Sequence, residues 1–537
     1  MSEASGPLPP SPLRMLITLC VVLAVVMQAL DTTIANVALP YMQGSVSASA
    51  DQINWVLTSY IVATAIMTPP SAFLARRFGR KRVLLWSIFG FVLASVLCGI
   101  ARSLEEIILF RLLQGLAGAA LVPLSQGILL DIYPLKDRGS AVALFGVSVM
   151  VGPVLGPMLG GWLTEHLSWR WVFFINLPIG LLAFIGMTRF IRETPADRTA
   201  RLDWLGFGSL SVAIMAIQLF LDRGEQLGWF DSGEIIIEAL VAAVASYIFL
   251  VHTFTHDKPF ISLKLFKDRN YSVAVVFIFI IGITYLASLA LMTPYLQTLM
   301  GYPVLTAGLV MGPRGLGTML SMFLAGKIMG KVDIRWILFC GLALSAWSMY
   351  MMTGWTPAVS IDTIIYVGFI QGASLGLLFV PLTTIAFTTL PPHLRGEATG
   401  LYNLSRNVGS SVGISIVTVL LAQNTQINHA EIGAYVTPFN RLFYAWPVSA
   451  QLNPLTASGR AALDGMITVQ ASWIAYLDDF KLLMLLSIGI MPLLLIFRTP
   501  KSQASPPPDD QVSKRNRPTA RLSSSDSSRS ETTALDT

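Results

Sequence analysis

Residues 15–39 read MLITLCVVLAVVMQALDTTIANVAL, an apolar run that contains a single charged residue, Asp31. An α-helix rises about 1.5 Å per residue, so a run of this length can cross the roughly 30 Å hydrocarbon core of a bilayer. No small-residue cleavage site follows, so the run is predicted to be a retained first span rather than a removable signal peptide. The fold class therefore depends on how often such runs recur along the chain.

Comparable apolar runs recur as far as residue 498, separated by short polar breaks. The 537 residues are 54% hydrophobic and only 12% charged, which is more apolar side chain than one soluble core can bury. The pattern predicts an all-α polytopic membrane protein with fourteen transmembrane helices. The predicted spans are 15–39, 54–75, 83–101, 106–130, 139–163, 169–190, 203–221, 234–254, 271–298, 304–328, 334–353, 361–388, 397–422 and 480–498.

Lysine and arginine concentrate in alternate loops, for example around Arg80, Arg138 and Lys267. Basic residues are retained on the cytoplasmic side of a membrane, so the alternation places the N and C termini in the cytoplasm. The same bias accounts for the net charge of +6, and we expect no nucleic-acid partner.

An internal repeat is visible at one constant offset, 391 − 134 = 257 residues. It predicts two six-helix bundles, with spans 203–221 and 234–254 inserted between them as two extra helices. The repeated residues are Pro134, Arg138, Gly139, Gly152 and Gly156, which return as Pro391, Arg395, Gly396, Gly409 and Gly413.

The expected domain organisation follows from the spans and the repeat. A long polar outer loop, 423–479, is predicted inside the second bundle, and the Ser- and Pro-rich tail is expected to be disordered. The predicted segments are a cytoplasmic N-terminal segment 1–13, an N-terminal six-helix bundle 14–190, a linker with two inserted helices 191–269, a C-terminal six-helix bundle 270–498 and a cytoplasmic tail 499–537.

Asp31 is the first residue that carries candidate chemistry. A carboxylate inside a membrane span costs on the order of 3 kcal/mol, so it normally faces a cavity or a partner. It shares a helix face with Gln28 and Ala35, which is typical of a cavity-lining stripe. The favoured interpretation is a site for a proton or a cationic substrate. The alternative is that Asp31 caps a helix break or pairs with a basic residue of a neighbouring helix.

Arg111 and Gln114 lie together in the fourth predicted span. A buried guanidinium stays charged and must find carbonyls, water or an acid. Arg111 is predicted either to hold helices together or to set the proton affinity of a nearby acid such as Asp31. Glu397, at the start of span thirteen, is the next candidate for proton coupling. Gln114, and Arg406 of span thirteen, are placed in the predicted substrate cavity with Gln28, Asp31 and Ala35.

The fifth predicted span contains a repeated pattern of glycine and proline. The four-residue spacing of the glycines lets helix backbones touch, and each proline removes a backbone donor. A tight, bendable helix interface is predicted, with an ordinary kinked span as the alternative. The residues are Gly152, Pro153, Gly156, Pro157, Gly160 and Gly161.

A basic loop follows the second predicted span and contains Arg77, Gly79, Arg80 and Lys81. The loop is predicted to lie at the cytoplasmic surface, where it is a candidate gate. No phosphate-binding loop, metal-ligand spacing or catalytic constellation is visible in the sequence. We therefore expect no enzyme activity, no cofactor and no bound metal.

Four stretches together resemble a known family: 30–40, 111–115, the glycine–proline span and 169–178. They are similar to the fourteen-span drug:proton antiporters of the major facilitator superfamily, and within it to EmrB-type multidrug exporters. The resemblance implies the major facilitator fold, proton coupling through Asp31, and an antiporter motif in span five. In the basic loop the family pattern has a glycine and an acid where this chain has Ala72 and Arg76.

The resemblance further implies a proton-coupled multidrug efflux transporter that exports hydrophobic and amphipathic compounds by alternating access. It would act in the bacterial inner membrane, in contact with lipid. The implied partners are a periplasmic adaptor of the EmrA type and an outer-membrane channel of the TolC type. The alternatives are a dedicated exporter of one metabolite, such as a siderophore or a fatty acid, and, with less support, a membrane sensor or embedded enzyme.

Overall fold

The computed structural model describes residues 11–498 except 54, 135–136, 200, 225–226, 258, 392–393, 437–451 and 454–455. The side chains of a few helical residues, Pro153 and Pro157 among them, also lie outside the description. Most of the predicted segment 1–13, part of the predicted loop 423–479 and the whole predicted tail 499–537 lie outside the described residues.

The described chain is helical, and a helix occupies the position of every predicted span. The N-terminal half contains α1 Ser11–Ser45, α2 Trp55–Met67, α3 Pro70–Phe78, α4 Arg80–Ile100, α5 Leu104–Gly118, α6 Leu121–Ile132, α7 Arg138–His166 and α8 Asn176–Phe190. The rest contains α9 Trp204–Arg223, α10 Gly233–Thr255, α11 Arg269–Pro294, α12 Val304–Ile328, α13 Ile334–Thr353, α14 Ile361–Thr388, α15 Arg395–Tyr435 and α16 Ala457–Gly489.

Within the described ranges, 11 helices are long and apolar enough to cross a membrane, or 12 if the bent pair α2 and α3 counts as one span. The chain is therefore a multi-pass membrane protein. Their outward faces are apolar, as in Trp86, Leu182 and Tyr247, which are more than half exposed. Exposed apolar faces on helices of this length fit contact with lipid.

Two predicted spans are broken rather than continuous. The second bends by 56° between α2 and α3, where Pro69 and Pro70 follow each other and remove two backbone donors. The fourth is divided at Ala119–Ala120 into α5 and α6. Residues of the predicted basic loop therefore have orientations that a single straight helix would not give them, whereas residues 104–132 still form one span.

The predicted outer loop 423–479 differs from the structure. Its first part is a continuation of α15 as far as Tyr435, and its last part belongs to α16, which begins at Ala457 and not at 480. The two extensions contact each other, for example where His429 Nε2 lies 3.0 Å from Asp464 Oδ1. Hydropathy missed them because these turns are polar, whereas helix formation needs only intrahelical hydrogen bonds and a partner surface.

Helix packing divides the chain into two halves with a pair between them. In the first half α1 packs on α7 and α8, and in the second α11 packs on α15 and α12 on α14. Helices α9 and α10 pack on each other, and α9 also contacts α2 and α15. The halves meet chiefly through α7 and α12.

One end of the structure collects the charged loops and is called here the basic end. Asp197 N donates to Arg76 O at 2.9 Å, and Lys81 Nζ donates to Thr188 O at 2.6 Å. Close inter-half contacts also occur at this end, since a Cβ on Gly326 would lie 3.2 Å from Gly139 O. The basic end is therefore closed in this conformation.

Candidate functional site

The carboxylate of Asp31 lies inside the first half and is 1% exposed. Arg111 Nη1 donates to its Oδ2 at 2.7 Å. Gln114 Nε2 and Asn176 Nδ2 donate to its Oδ1 at 2.8 and 2.7 Å. Three helices, α5, α8 and α1 itself, therefore converge on one acid, which the sequence placed in a span but could not pair.

Arg111 is fully buried and is fixed by more than Asp31. Its Nε donates to Val56 O at 3.1 Å and its Nη1 donates to Gln114 Oε1 at 2.8 Å. The guanidinium carbon lies 4.3 Å from the centre of the Tyr60 ring, in cation–π geometry. Arg111 thus contacts the acid that the sequence named. The same contact fits both predicted roles, holding helices together and setting the proton affinity of Asp31, and the choice between them stays a prediction.

Asn176 and Ser95 were not predicted as site residues. Asn176 Nδ2 also donates to Ser95 Oγ at 2.8 Å, and Ser95 Oγ donates to Phe173 O at 2.8 Å. Both side chains are fully buried. Asn176 is an amide within the apolar stretch 169–178, which was used for the family resemblance. A polar side chain in such a stretch was the sequence signal that could have identified it as a site residue.

This network can respond to a proton. A buried ion pair is stable only while both charges are present, and removing one leaves an uncompensated charge that costs about 3–5 kcal/mol. A proton on Asp31 would cancel its charge and release Arg111 to seek other partners. The two charges of Asp31 and Arg111 therefore depend on each other in this packing.

The other predicted site residues lie in different parts of the structure. Gln28 and Ala35 share the buried face of Asp31. Arg406 is half-buried on α15, and Glu397 is in the first turn of that helix at the basic end, where it accepts a hydrogen bond from Ser262 N. A cavity of about 390 Å³ lies elsewhere, between residues such as Thr298 and Tyr476. The assignment of Gln28, Ala35 and Arg406 to a substrate cavity, and of Glu397 to proton coupling, stays a prediction.

The glycines of α7 lie against α1, the helix that carries Asp31. A Cβ on Gly152 would overlap Ala29 O, and one on Gly156 would overlap Thr33 Oγ1. Thr33 Oγ1 donates to Gly152 O at 2.9 Å. Gly160 is also close, with Ile34 at 3.3 Å from its Cβ position, whereas Gly161 faces open space. Three of the four glycines of α7 thus lie in close contact with α1, within one or two turns of Asp31.

The basic loop is fixed by acids that are distant in sequence. Gly79 has φ +94°, a left-handed conformation that favours glycine. Arg80 forms an ion pair with Asp131 at the end of α6. Glu193 accepts hydrogen bonds from the backbone N of Lys81 and of Arg82, both at 3.2 Å. Glu193 therefore places a carboxylate beside the loop. The loop itself has Arg76 at the position where the family pattern has an acid.

Asp131 was not predicted, and it connects the two halves. Arg395 Nη1, at the start of α15, lies 3.5 Å from Asp131 Oδ1. A second contact is buried nearby, where Asn403 Nδ2 donates to Gln126 Oε1 at 3.0 Å. In the sequence Asp131 resembles an ordinary acid at a span end, so only the spatial partners identify it.

A membrane fold of two packed helical halves, with a buried ion pair in one and a charged contact across the closed end, is that of a transporter. The chain belongs to the Major Facilitator Superfamily, whose family model matches residues 21–414. A solved structure, the proton:xylose symporter XylE, is 15% identical, with a TM-score of 0.58 over 90% of this chain and 96% of that one. That likeness concerns the fold.

Among its relatives, the chain is 37% identical to the multidrug export protein EmrB of Escherichia coli K12, over 86% of this chain and 88% of that protein. It is 35% identical to the fatty acid resistance protein FarB of Neisseria gonorrhoeae, over 90% of this chain and 96% of the relative. The predicted family is confirmed.

Proposed function

We propose that this protein is a proton-coupled multidrug efflux transporter, which exports hydrophobic and amphipathic compounds by alternating access. Its relatives named for multidrug export extend over most of the chain. The observation that carries the coupling is the buried pair of Asp31 and Arg111, two opposite charges joined at 2.7 Å in a span. Such intramembrane pairs are expensive and are kept for function.

In the proposed cycle Asp31 exchanges a proton for substrate. Protonation breaks the pair, and loss of the proton on substrate binding restores it. Each proton that moves down a membrane potential of about 100 mV contributes about 2.3 kcal/mol. That is sufficient for roughly a fifty-fold concentration gradient of a neutral compound, because about 1.4 kcal/mol corresponds to tenfold.

The cycle also requires the closed end to open. The ion pairs of Asp131 with Arg80 and Arg395, together with the close contact of Gly139 and Gly326, hold the basic end shut. The predicted gate loop, through Arg80, is thus part of a charged closure. Because the pairs are partly exposed, each contributes only about 0.2–1 kcal/mol, which suits a contact that must break repeatedly.

A vesicle assay tests the function. Inside-out vesicles that contain the purified full-length protein should accumulate ethidium under an imposed pH gradient, and Asp31→Asn should lose accumulation against a gradient. Empty vesicles are the control. Wild-type protein that shows no gradient-dependent ethidium transport would rule out the proposed coupling.

We further propose fourteen spans in two six-helix bundles with α9 and α10 inserted, the basic end and both termini being cytoplasmic. The alternation of basic loops and the helix at every predicted span position support this proposal. A cytoplasm-specific reporter fused after Lys267 or Lys331 should be active, and one fused at Asn428 should be silent. Activity at Asn428 would mean that the span count is wrong by one.

The proposed location is the inner membrane, with a periplasmic adaptor and an outer-membrane channel as partners. The extensions of α15 and α16 beyond the apolar spans offer a surface for the adaptor. Deletion of residues 430–470 should abolish cellular resistance while dye transport in vesicles persists. Loss of both activities together would show that the extension is structural.

A second candidate function is the export of one dedicated metabolite, since FarB is named for fatty acid resistance. Cells that lack the protein distinguish the two. Increased susceptibility to several unrelated drugs supports multidrug export, whereas susceptibility to one acid alone supports the dedicated exporter.

A further inference from the structure

The C-terminal half contains a second buried polar cluster, which none of the predicted site residues belongs to. Arg314 of α12 is 4% exposed. Its Nη2 donates to Ser288 Oγ at 2.9 Å and to Tyr285 O at 3.1 Å. Gln371 Nε2 donates to the same Ser288 Oγ at 3.2 Å. An arginine and a glutamine thus converge on one serine.

This cluster repeats the contacts of the Asp31 network. In the internal repeat Gln371 corresponds to Gln114, since 371 − 114 = 257. Ser288 corresponds to Asp31 at the same offset, since 288 − 31 = 257. In both halves the glutamine and an arginine donate to that residue. Both guanidinium groups lie over tyrosine rings, at 4.3 Å in the first half and 4.4 Å in the second.

The arginine comes from a different helix in the second half. The position that corresponds to Arg111 is Gly368, since 111 + 257 = 368. A Cβ on Gly368 would lie 3.8 Å from Arg314 Cβ, so the arginine of α12 passes the glycine of α14. Each cluster thus contains one guanidinium, donated by α5 in the first half and by α12 in the second.

The equivalence of Ser288 and Asp31 rests on their hydrogen bonds as well as on the offset. The glycines of α7 and α15 meet their partner helices at a different offset: Gly152 meets Ala29, and Gly409 meets Phe279, 279 − 29 = 250. The two offsets differ by seven residues, about two helical turns, which preserves the helix face. The face of α11 that carries Ser288 is therefore equivalent to the face of α1 that carries Asp31.

The second cluster lacks the carboxylate of the first. Arg314 Nε and Nη1, and Gln371 Oε1, have no hydrogen-bond partner among the described residues. The sequences of α11, α12 and α14 contain one acid, Asp362. It is exposed in the first turn of α14. A guanidinium does not lose its proton, so Arg314 is a buried cation that forms no ion pair within the described ranges.

We propose that Arg314 binds the carboxylate of an organic anion in the position that Asp31 occupies in the other half. A guanidinium donates charge-assisted hydrogen bonds to a carboxylate, and Arg314 Nε and Nη1 have no hydrogen-bond partner among the described residues. Tyr285 covers the cluster on the side of the first half, where its hydroxyl lies 3.8 Å from Met150 Sδ. When the two halves separate, the site becomes accessible from the interface between them.

This inference rests on the proposed export function and adds a substrate class to it, amphipathic monocarboxylates. The probe is 1-naphthoate, with the uncharged 1-naphthamide of nearly the same shape as its control. Binding of both to purified full-length protein is measured for wild type, Ser288→Asp and Ser288→Asn. The two variants have closely matched volumes, so they differ chiefly in charge.

Ser288→Asp should lower the affinity for 1-naphthoate by about tenfold or more, because its own carboxylate occupies Arg314, and should raise the unfolding temperature above that of Ser288→Asn. Ser288→Asn should keep the preference for naphthoate over naphthamide. Arg314→Gln should lose that preference. Equal naphthoate binding by Ser288→Asp and Ser288→Asn would overturn the proposal.

Two further outcomes would also overturn the proposal. They are equal wild-type affinity for naphthoate and naphthamide, and complete displacement of naphthoate by chloride at equal concentration, which indicates an inorganic anion site only. Ethidium transport in vesicles separates this inference from the proposed function. If naphthoate fails while ethidium is still transported, only the carboxylate site is wrong.

Discussion

Asp131 Oδ1 lies 3.5 Å from Arg395 Nη1 and thereby joins α6 of the first half to α15 of the second. The same carboxylate pairs with Arg80 of the basic loop. Like-charged Arg80 and Arg395 thus share one acid at the closed basic end. Both ion pairs across this end therefore depend on one carboxylate, so a single substitution tests their part in the closure.

Asp131→Asn should shift the population toward forms open at the basic end by about two- to thirtyfold, because two partly exposed ion pairs of about 0.2–1 kcal/mol each are lost. Spin labels at the exposed positions Arg76 and Lys331 should show a larger fraction of long distances. Asp137→Asn, an acid at the same end without an ion pair in the structure, is the control. An unchanged distance distribution in Asp131→Asn would show that the helix contacts alone hold the closure.

Asp31→Asn should lower the thermal stability of the purified protein, since it leaves Arg111 buried without an anion at a cost of about 3–5 kcal/mol. Asp31→Asn combined with Arg111→Gln should recover much of the stability, because no unpaired charge remains. Neither variant should restore uphill transport. Recovery of uphill transport in the double variant would place proton coupling elsewhere, with Glu397 the next acid to examine.

Gly152→Ala should destabilise the protein by about 1–3 kcal/mol and impair transport, because its Cβ would overlap Ala29 O in the contact of α7 with α1. Gly161→Ala on the same helix is the matched control, since nothing lies within 4 Å of its Cβ position. Thermal unfolding of the two variants measures the difference. Equal unfolding temperatures would mean that α1 and α7 are not in backbone contact.

Asp479→Asn should be neutral or stabilising by about 1–3 kcal/mol in thermal unfolding. Asp479 of α16 is 1% exposed, and neither carboxylate oxygen has a hydrogen-bond partner among the described residues. An unpartnered buried carboxyl is costly, and an amide of the same shape carries no charge. Asp478→Asn, an exposed neighbour, is the control. Marked destabilisation by Asp479→Asn would reveal a partner that the structure does not describe.

Much of the fold could be predicted from sequence because the bilayer imposes a simple length rule. A helix must be long and apolar to cross the membrane, so apolar runs identify spans directly. The same rule failed for residues 423–435 and 457–479, whose polar helical turns continue α15 and α16 beyond the apolar zone. It also gave no indication of the 56° bend between α2 and α3 beyond the adjacent prolines.

The sequence by itself determined that Asp31 and Arg111 are unusual, because any charge inside an apolar run is costly wherever its partner lies. It also determined the repeat at 257 residues. Only the tertiary structure decided which groups meet: Asn176 with Asp31, Asp131 with Arg395, and Arg314 with a serine in place of an acid. A charge within an apolar run can be recognised from the residue and its neighbours in the chain. Pairing depends on the relative positions of helices that are distant in sequence, and packing sets those positions.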